Sequence, residues 1–177
     1  ALTAAEKGVK RIILLEKNGV VGGNTALSAG MFAADSITLK KMGVQFQSDY
    51  FFKLAMEWAH WKINPKIIRT FINKSADTID WLETKGLEFA CSGFYPNQFP
   101  PTTHYSKGRG MEVVKVLEGE CLKKGVQLIL SFRAKRILMD SKGRVEGLVG
   151  EKYGEEYVIA APSIVITTGG YGGNKEL

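Results

Sequence analysis

The sequence predicts an α/β fold with a parallel sheet, an antiparallel β-meander and a helical layer. Three observations predict it. First, the apolar run Ile12 to Leu15 reads as a buried parallel strand, and it ends on Glu16 and a Gly- and hydroxyl-rich loop. Second, apolar residues recur at helical spacing from Ser48 to Gly86 and from Gly108 to Lys124. Third, short strand-like runs follow one another from Val126 to Ala160, with a Ser141-Lys142-Gly143 turn between two of them.

The bulk numbers fit this class. A chain of 177 residues that is 45% hydrophobic suits one globular domain or a large piece of one. The net charge of +6 is spread along the chain, and no basic patch interleaved with aromatics points to nucleic acid. No apolar run reaches membrane-spanning length. Cys91 and Cys121 match no metal or CxxC spacing and read as ordinary thiols of a reducing compartment.

In chain order, Ala1, Ala4 and Ala5 suit a close-packed helix that Gly8 can end. The strand Ile12–Leu15 and Glu16 follow. A carboxylate at the end of a second strand accepts hydrogen bonds from an adenosine ribose in dinucleotide folds, about 20 residues after a G-x-G-x-x-G turn. The competing reading of Glu16 is a charge that merely ends a strand. Counting back from Glu16 passes residue 1, so the expectation is a dinucleotide unit lacking its first strand and phosphate turn. In the loop Asn18 to Gly30, Gly22 and Gly23 allow close backbone approach, and Asn24, Thr25 and Ser28 supply short side-chain donors. Such a loop is either a diphosphate cradle or a surface loop.

Ser48 to Lys62 is expected to be a helix with Phe51, Leu54, Ala55, Trp58 and Ala59 on its buried face, Trp58 and Trp61 in the core and His60 partly exposed. Asn64-Pro65 starts another helix, with Ile67, Ile68, Phe71 and Ile72 apolar. Ser75 is expected to cap a third, ending near Gly86. Residues 87 to 107 lack periodicity and read as a binding loop holding Cys91, Tyr95, three prolines and His104. His104 is an acid–base candidate, weighed against the absence of any paired carboxylate or nucleophile near it in the sequence. Gly108 to Lys124 is a helix with Val114, Leu117 and Cys121 inward. Strands are expected at Val126–Phe132, Ala134–Met139, Val145–Gly150 and Glu156–Ala160, with a last buried strand at Ile164–Thr167. The absent first strand belongs between Arg11–Leu15 and Ile164–Thr167. Without it, two apolar edges are open to self-association.

Three segments, LLEK with GGNTALSAG, SKGRGMEVVKVL with GVQLIL, and IVITTGGYGGN, together resemble the fumarate reductase/succinate dehydrogenase flavoprotein family. The likeness is closer to its soluble branch, which includes flavocytochrome c fumarate reductases and ketosteroid dehydrogenases. The resemblance implies an incomplete Rossmann-like FAD-binding domain of the glutathione-reductase type over residues 1–177, without the phosphate turn and without the downstream capping region. It implies that Glu16 holds the adenosine ribose, with Lys17 also among the cofactor-binding residues. Gly22, Gly23, Asn24, Thr25, Ser28, Ala29, Gly30 and Met31 would line the diphosphate and flavin. Ala134 would meet the adenine through its backbone, and Thr167, Thr168 and Gly169 would pass near the ribityl–diphosphate region. Met31 stands where the family usually has a second glycine. The pattern around the covalently flavinylated histidine of the membrane-bound branch is missing, which implies non-covalent FAD. The implied reaction is hydride transfer between the flavin and a small substrate with an activated C=C bond, from an electron donor that the sequence leaves open. The family's substrate-clamping His and Arg residues would lie beyond Leu177, so no catalytic residue is assigned. Two other classes stay open on the residues alone: an NAD(P)-dependent dehydrogenase fragment, which Glu16 does not exclude, and a non-catalytic nucleotide-binding or interaction module.

Overall fold

The computed structural model describes residues 1–44, 48–93 and 101–170. In chain order the elements are α1 (Leu2–Glu6), β1 (Ile13–Leu15), α2 (Gly23–Leu27), β2 (Met31–Phe32), α3 (Ile37–Lys41), α4 (Ser48–Trp58), α5 (Pro65–Glu83), β3 (Ala90–Ser92), β4 (Thr103–Tyr105), α6 (Arg109–Lys123), β5 (Gln127–Ile129), β6 (Arg133–Met139), β7 (Val145–Lys152) and β8 (Glu155–Ala160). They form two compact units, one from Ala1–Asn24 with Glu120–Leu177 and the other from Thr25–Gly119.

The first unit holds the parallel pair. β1 runs alongside β5 with Ile13, Leu14 and Leu15 opposite Gln127, Leu128 and Ile129. Gly8, at φ +87°, turns the chain out of α1 as its sequence position suggests. The meander β6-β7-β8 is antiparallel throughout. Asp140 makes its first turn, its carboxylate accepting the Lys142 and Arg144 N–H groups. Buried Phe132 and Val149 belong to this unit. Phe132 fills the space above Gly150: a Cβ there would lie 2.2 Å from the ring, so only glycine lets β7 pass.

The expected strand Ile164–Thr167 is not formed. Those residues have no regular structure, and Val165 and Ile166 are 85% and 67% exposed. β-branched residues form a strand only against a neighbouring edge, and none of the described strands pairs with them.

The second unit sets α3, α4 and α5 with a small antiparallel sheet of order β2-β4-β3. α5 is one helix. Asn64 caps it and Pro65 fits its first turn. Ser75 therefore caps nothing; it lies buried in mid-helix, where its hydroxyl donates to Ile72 O and accepts from Ala34 N–H. α4 buries Phe51 and Met56, with Phe52 and Ala55 half-buried, as is Ala59 just past its end. The buried face is thus turned away from Leu54 and Trp58, which are 39% and 80% exposed, and Trp61 is also exposed. Left-handed backbone at His60 and Trp61 ends the helix's run and carries Trp61 out of the core; His60 is exposed. One apolar cluster joins Ala34, Phe51 and Ile72; a second joins Leu82, Leu87 and Val113. Residues 87 to 107, expected to be loop, contribute β3 and β4. Tyr95, Pro96 and Pro100 lie outside the described residues.

Candidate functional site

Within the first unit, β1 delivers Glu16 to the end of the parallel pair. Its N–H donates to Ile129 O at 3.0 Å, continuing the ladder, and Phe132 N–H returns to its carbonyl at 2.9 Å. The carboxylate turns back on the chain: Oε1 accepts the Asn18 N–H at 2.8 Å. Ser131 N–H reaches Asn18 O at 2.9 Å, so the turn 16–18 and the turn 129–132 are laced together. The second turn leads directly into β6, where Ala134 is exposed and pairs with Gly150. Glu16 is half-buried and Lys17 exposed. A carboxylate oriented by a backbone N–H, at the open end of a parallel strand and beside a backbone edge, is suited to accept from a diol.

Gly22 and Gly23 follow at φ +120° and +48°, a turn that only glycine makes without strain. A Cβ at Gly23 would meet nothing within 4 Å, so the backbone there is open to a ligand. Gly23 and Asn24 begin α2. Thr167, Thr168 and Gly169 belong to the exposed stretch after β8, with Gly169 at φ +82°. Tyr171 to Asn174 of the same motif lie outside the described residues.

The second unit gathers Thr25, Ser28, Ala29, Gly30 and Met31. Ser28 O accepts the Gly110 N–H at 3.1 Å, tying the end of α2 to the start of α6. The approach is close: a Cβ on Gly110 would fall 1.8 Å from Thr25 O and 2.6 Å from Ser28 Oγ. Gly30 lies against β4, where a Cβ would come within 2.7 Å of His104 O and 2.8 Å of Thr103 Cγ2. Met31 pairs with His104 and packs its side chain against the Leu82–Leu87–Val113 cluster. Ala29 is exposed and Ser28 half-buried. Sequence reasoning missed Gly110 as a packing residue, although the pattern Gly108-Arg109-Gly110 at a helix start signals close backbone contact.

His104 is no acid–base group for a substrate. It is 0% exposed, and both ring nitrogens are engaged, Nε2 with Ser36 Oγ at 2.6 Å and Nδ1 with Thr102 O at 3.2 Å. Burial pulls its pKa below the usual histidine range, against the opposing pull of the Thr102 carbonyl, Glu83 and Asp80. Cys91, opposite His104 in β3, has its thiol pushed up to about 11 by burial, with the Glu83 charge adding to the effect. Burial also raises Cys121, and both cysteines are free thiols. Among the described residues no cluster of His, Cys, Asp and Glu could hold a metal ion, and no helix is long and apolar enough to cross a membrane.

A mixed α/β fold with an acid-ended parallel strand and a double-glycine turn defines a dinucleotide-binding class. The chain belongs to the FAD binding domain family, which it matches over residues 1–177. It is 30% identical to the cytochrome-type fumarate reductase of Shewanella frigidimarina over 99% of this chain and 32% of that protein. It is 28% identical to the vinyl phenol reductase of Lactiplantibacillus plantarum over 100% of this chain and 36% of that protein. The solved open form of a flavocytochrome c3 fumarate reductase superimposes with a TM-score of 0.89 at 29% identity, covering 98% of this chain and 32% of that one. The chain thus spans about a third of the length of these relatives. Its cofactor is FAD, which removes the nicotinamide alternative. The residues present fit that cofactor: the oriented Glu16 carboxylate suits a ribose, and the glycine turn, open at Gly23, suits a diphosphate.

Proposed function

We propose that this chain is the FAD-binding portion of a flavin-dependent reductase of small molecules with an activated C=C bond. The observation that carries the reading is Glu16, held at the end of a parallel strand with its carboxylate oriented by Asn18 N–H and the 129–132 turn laced beside it. Glu16 would accept from both ribose hydroxyls, with Lys17 at the rim and the backbone of Ala134 beside the adenine. Gly22, Gly23, Asn24 and Thr25 would cradle the diphosphate, and Thr167, Thr168 and Gly169 would approach the ribityl chain. Ser28, Ala29, Gly30 and the backbone of Met31 would border the flavin ring, since the Met31 side chain is turned into its own core. When bound, the flavin supplies hydride transfer to the substrate double bond, while the protein binds and orients both. The names of the relatives, fumarate reductase and vinyl phenol reductase, support this substrate class.

FAD would be held without a covalent bond. The exposed apolar residues Val165 and Ile166 and the 41%-exposed Ile13 of β1 support a further strand that pairs between them in the full-length protein. Residues 1–177 alone would associate through these edges. The substrate-clamping groups and the electron donor would be supplied from outside these residues.

The test is anaerobic reoxidation. Full-length protein is reduced and mixed with fumarate or a vinyl phenol, followed by acid precipitation of the oxidised sample. Reoxidation by one of the two, with free FAD in the supernatant, is expected. Flavin that neither compound reoxidises contradicts the substrate class. Flavin that stays with the denatured polypeptide contradicts non-covalent binding.

A further inference from the structure

The strand that would border the flavin is held by a buried polar chain centred on His104. β4 is the middle strand of its sheet, and His104 is its middle residue, opposite Met31 on one side and Cys91 on the other. Its backbone carbonyl is the surface on which Gly30 rests. Its side chain works further along the same segment, at Ser36, which is also 0% exposed.

The hydrogen-bond directions are determined. Thr102 O can only accept, so His104 Nδ1 carries a proton and donates to it at 3.2 Å. The same carbonyl accepts Ala33 N–H at 3.1 Å, using its second lone pair. In the neutral ring, Nε2 is then an acceptor, and the Ser36 hydroxyl donates to it at 2.6 Å. Ser36 Oγ in turn accepts Leu39 N–H at 3.2 Å, capping α3. One imidazole thus ties together the carbonyl that receives Ala33 and the hydroxyl that ends the segment, while its own backbone pairs with Met31. The far side of the segment is held by Ser75, which accepts Ala34 N–H at 3.0 Å.

We propose that His104 is a positioning residue for the flavin-bordering segment Gly30–Ser36, holding it through backbone pairing at Met31 and through the Ser36 hydroxyl. The proposal rests on the reading of Gly30 and Met31 as flavin neighbours. It assigns His104 an effect on the cofactor without any contact with substrate. A histidine that merely filled the core would affect melting temperature alone.

The experiment compares full-length wild type with His104→Phe, His104→Gln and Ser36→Ala. FAD dissociation constant, flavin absorption spectrum and melting temperature are measured on each. His104→Phe keeps an aromatic ring and loses both hydrogen bonds. His104→Gln keeps an acceptor that can reach Ser36. Ser36→Ala leaves the histidine and removes its partner. For His104→Phe and Ser36→Ala the FAD dissociation constant is expected to rise roughly fivefold or more, the equivalent of one lost hydrogen bond, with a displaced flavin absorption maximum. His104→Gln is expected to stay within about twofold of wild type, less than half of that hydrogen-bond equivalent. Variants that bind FAD as wild type does, with an unchanged spectrum and only a lower melting temperature, overturn the proposal. So does Ser36→Ala alone matching wild type, should His104→Phe fail to fold. A wild type that takes up no FAD overturns the flavin reading and the proposal with it, an outcome distinct from equal binding across the series.

Discussion

Gly110 and His104 show how single residues set close packing around the proposed cofactor site. Gly110 has no room for a methyl group, because Thr25 O and Ser28 Oγ occupy the position a Cβ would take. Gly110→Ala is expected to destabilise the protein by about 1–3 kcal/mol or more, as overpacking does, read as a lowered denaturant midpoint. An unchanged midpoint would mean the two backbones can part freely. His104 makes stability depend on pH. Its folded pKa is depressed by burial, while the unfolded chain titrates near the ordinary value of about 6.5. Between the two values the unfolded state binds more protons, so stability is full above about pH 6.5 and is lost as pH falls below it. The charges of Glu83 and Asp80 oppose this shift and moderate the effect. Wild type should therefore lose more melting temperature between pH 7.5 and pH 5.5 than His104→Gln does; parallel losses would contradict the neutral, buried histidine.

At the scale of elements, what the sequence makes legible depends on length and locality. β1, α6 and the β6–β8 meander follow from apolar runs, a glycine stop at Gly125 and the Ser141–Gly143 turn, all local signals. The sheet β2-β4-β3 was not legible. Its strands are two or three residues long, too short to show alternation, and Met31 finds its partner at residue 104. Ser75 misled because a serine that caps a helix and one that bonds across a core look identical in sequence. Trp58 is exposed against expectation because the five residues aligned between Phe51 and Ala59 leave out Met56, which is 1% exposed and turns the buried face toward itself. Ile164–Thr167 has strand composition and no described partner, and composition alone does not order a strand. Ser75→Ala deprives the buried Ala34 N–H of its acceptor, a loss of about 1–3 kcal/mol. Urea unfolding should register it, whereas a mere mid-helix serine would be neutral or gain slightly from alanine's higher helix propensity.

For the molecule as a whole, the fold class and the FAD-binding family are legible in the sequence. The acid-ended strand and double-glycine turn are visible as a linear pattern, and the structure orients the Glu16 carboxylate and leaves the backbone open at Gly23. The contacts that hold the proposed site residues are not legible, because the 129–132 turn, Gly110 and His104 reach Glu16, Ser28 and Gly30 from far along the chain. The central claim is that Glu16 holds the cofactor through charge-assisted hydrogen bonds to a diol, each worth roughly 1.5–3 kcal/mol. Titration of FAD into full-length wild type and Glu16→Ala, each first stripped of flavin, tests it most directly. A dissociation constant raised roughly tenfold or more in the variant, with an unchanged melting temperature of the stripped protein, is the predicted result. Equal dissociation constants would remove Glu16 from the cofactor site and contradict the account.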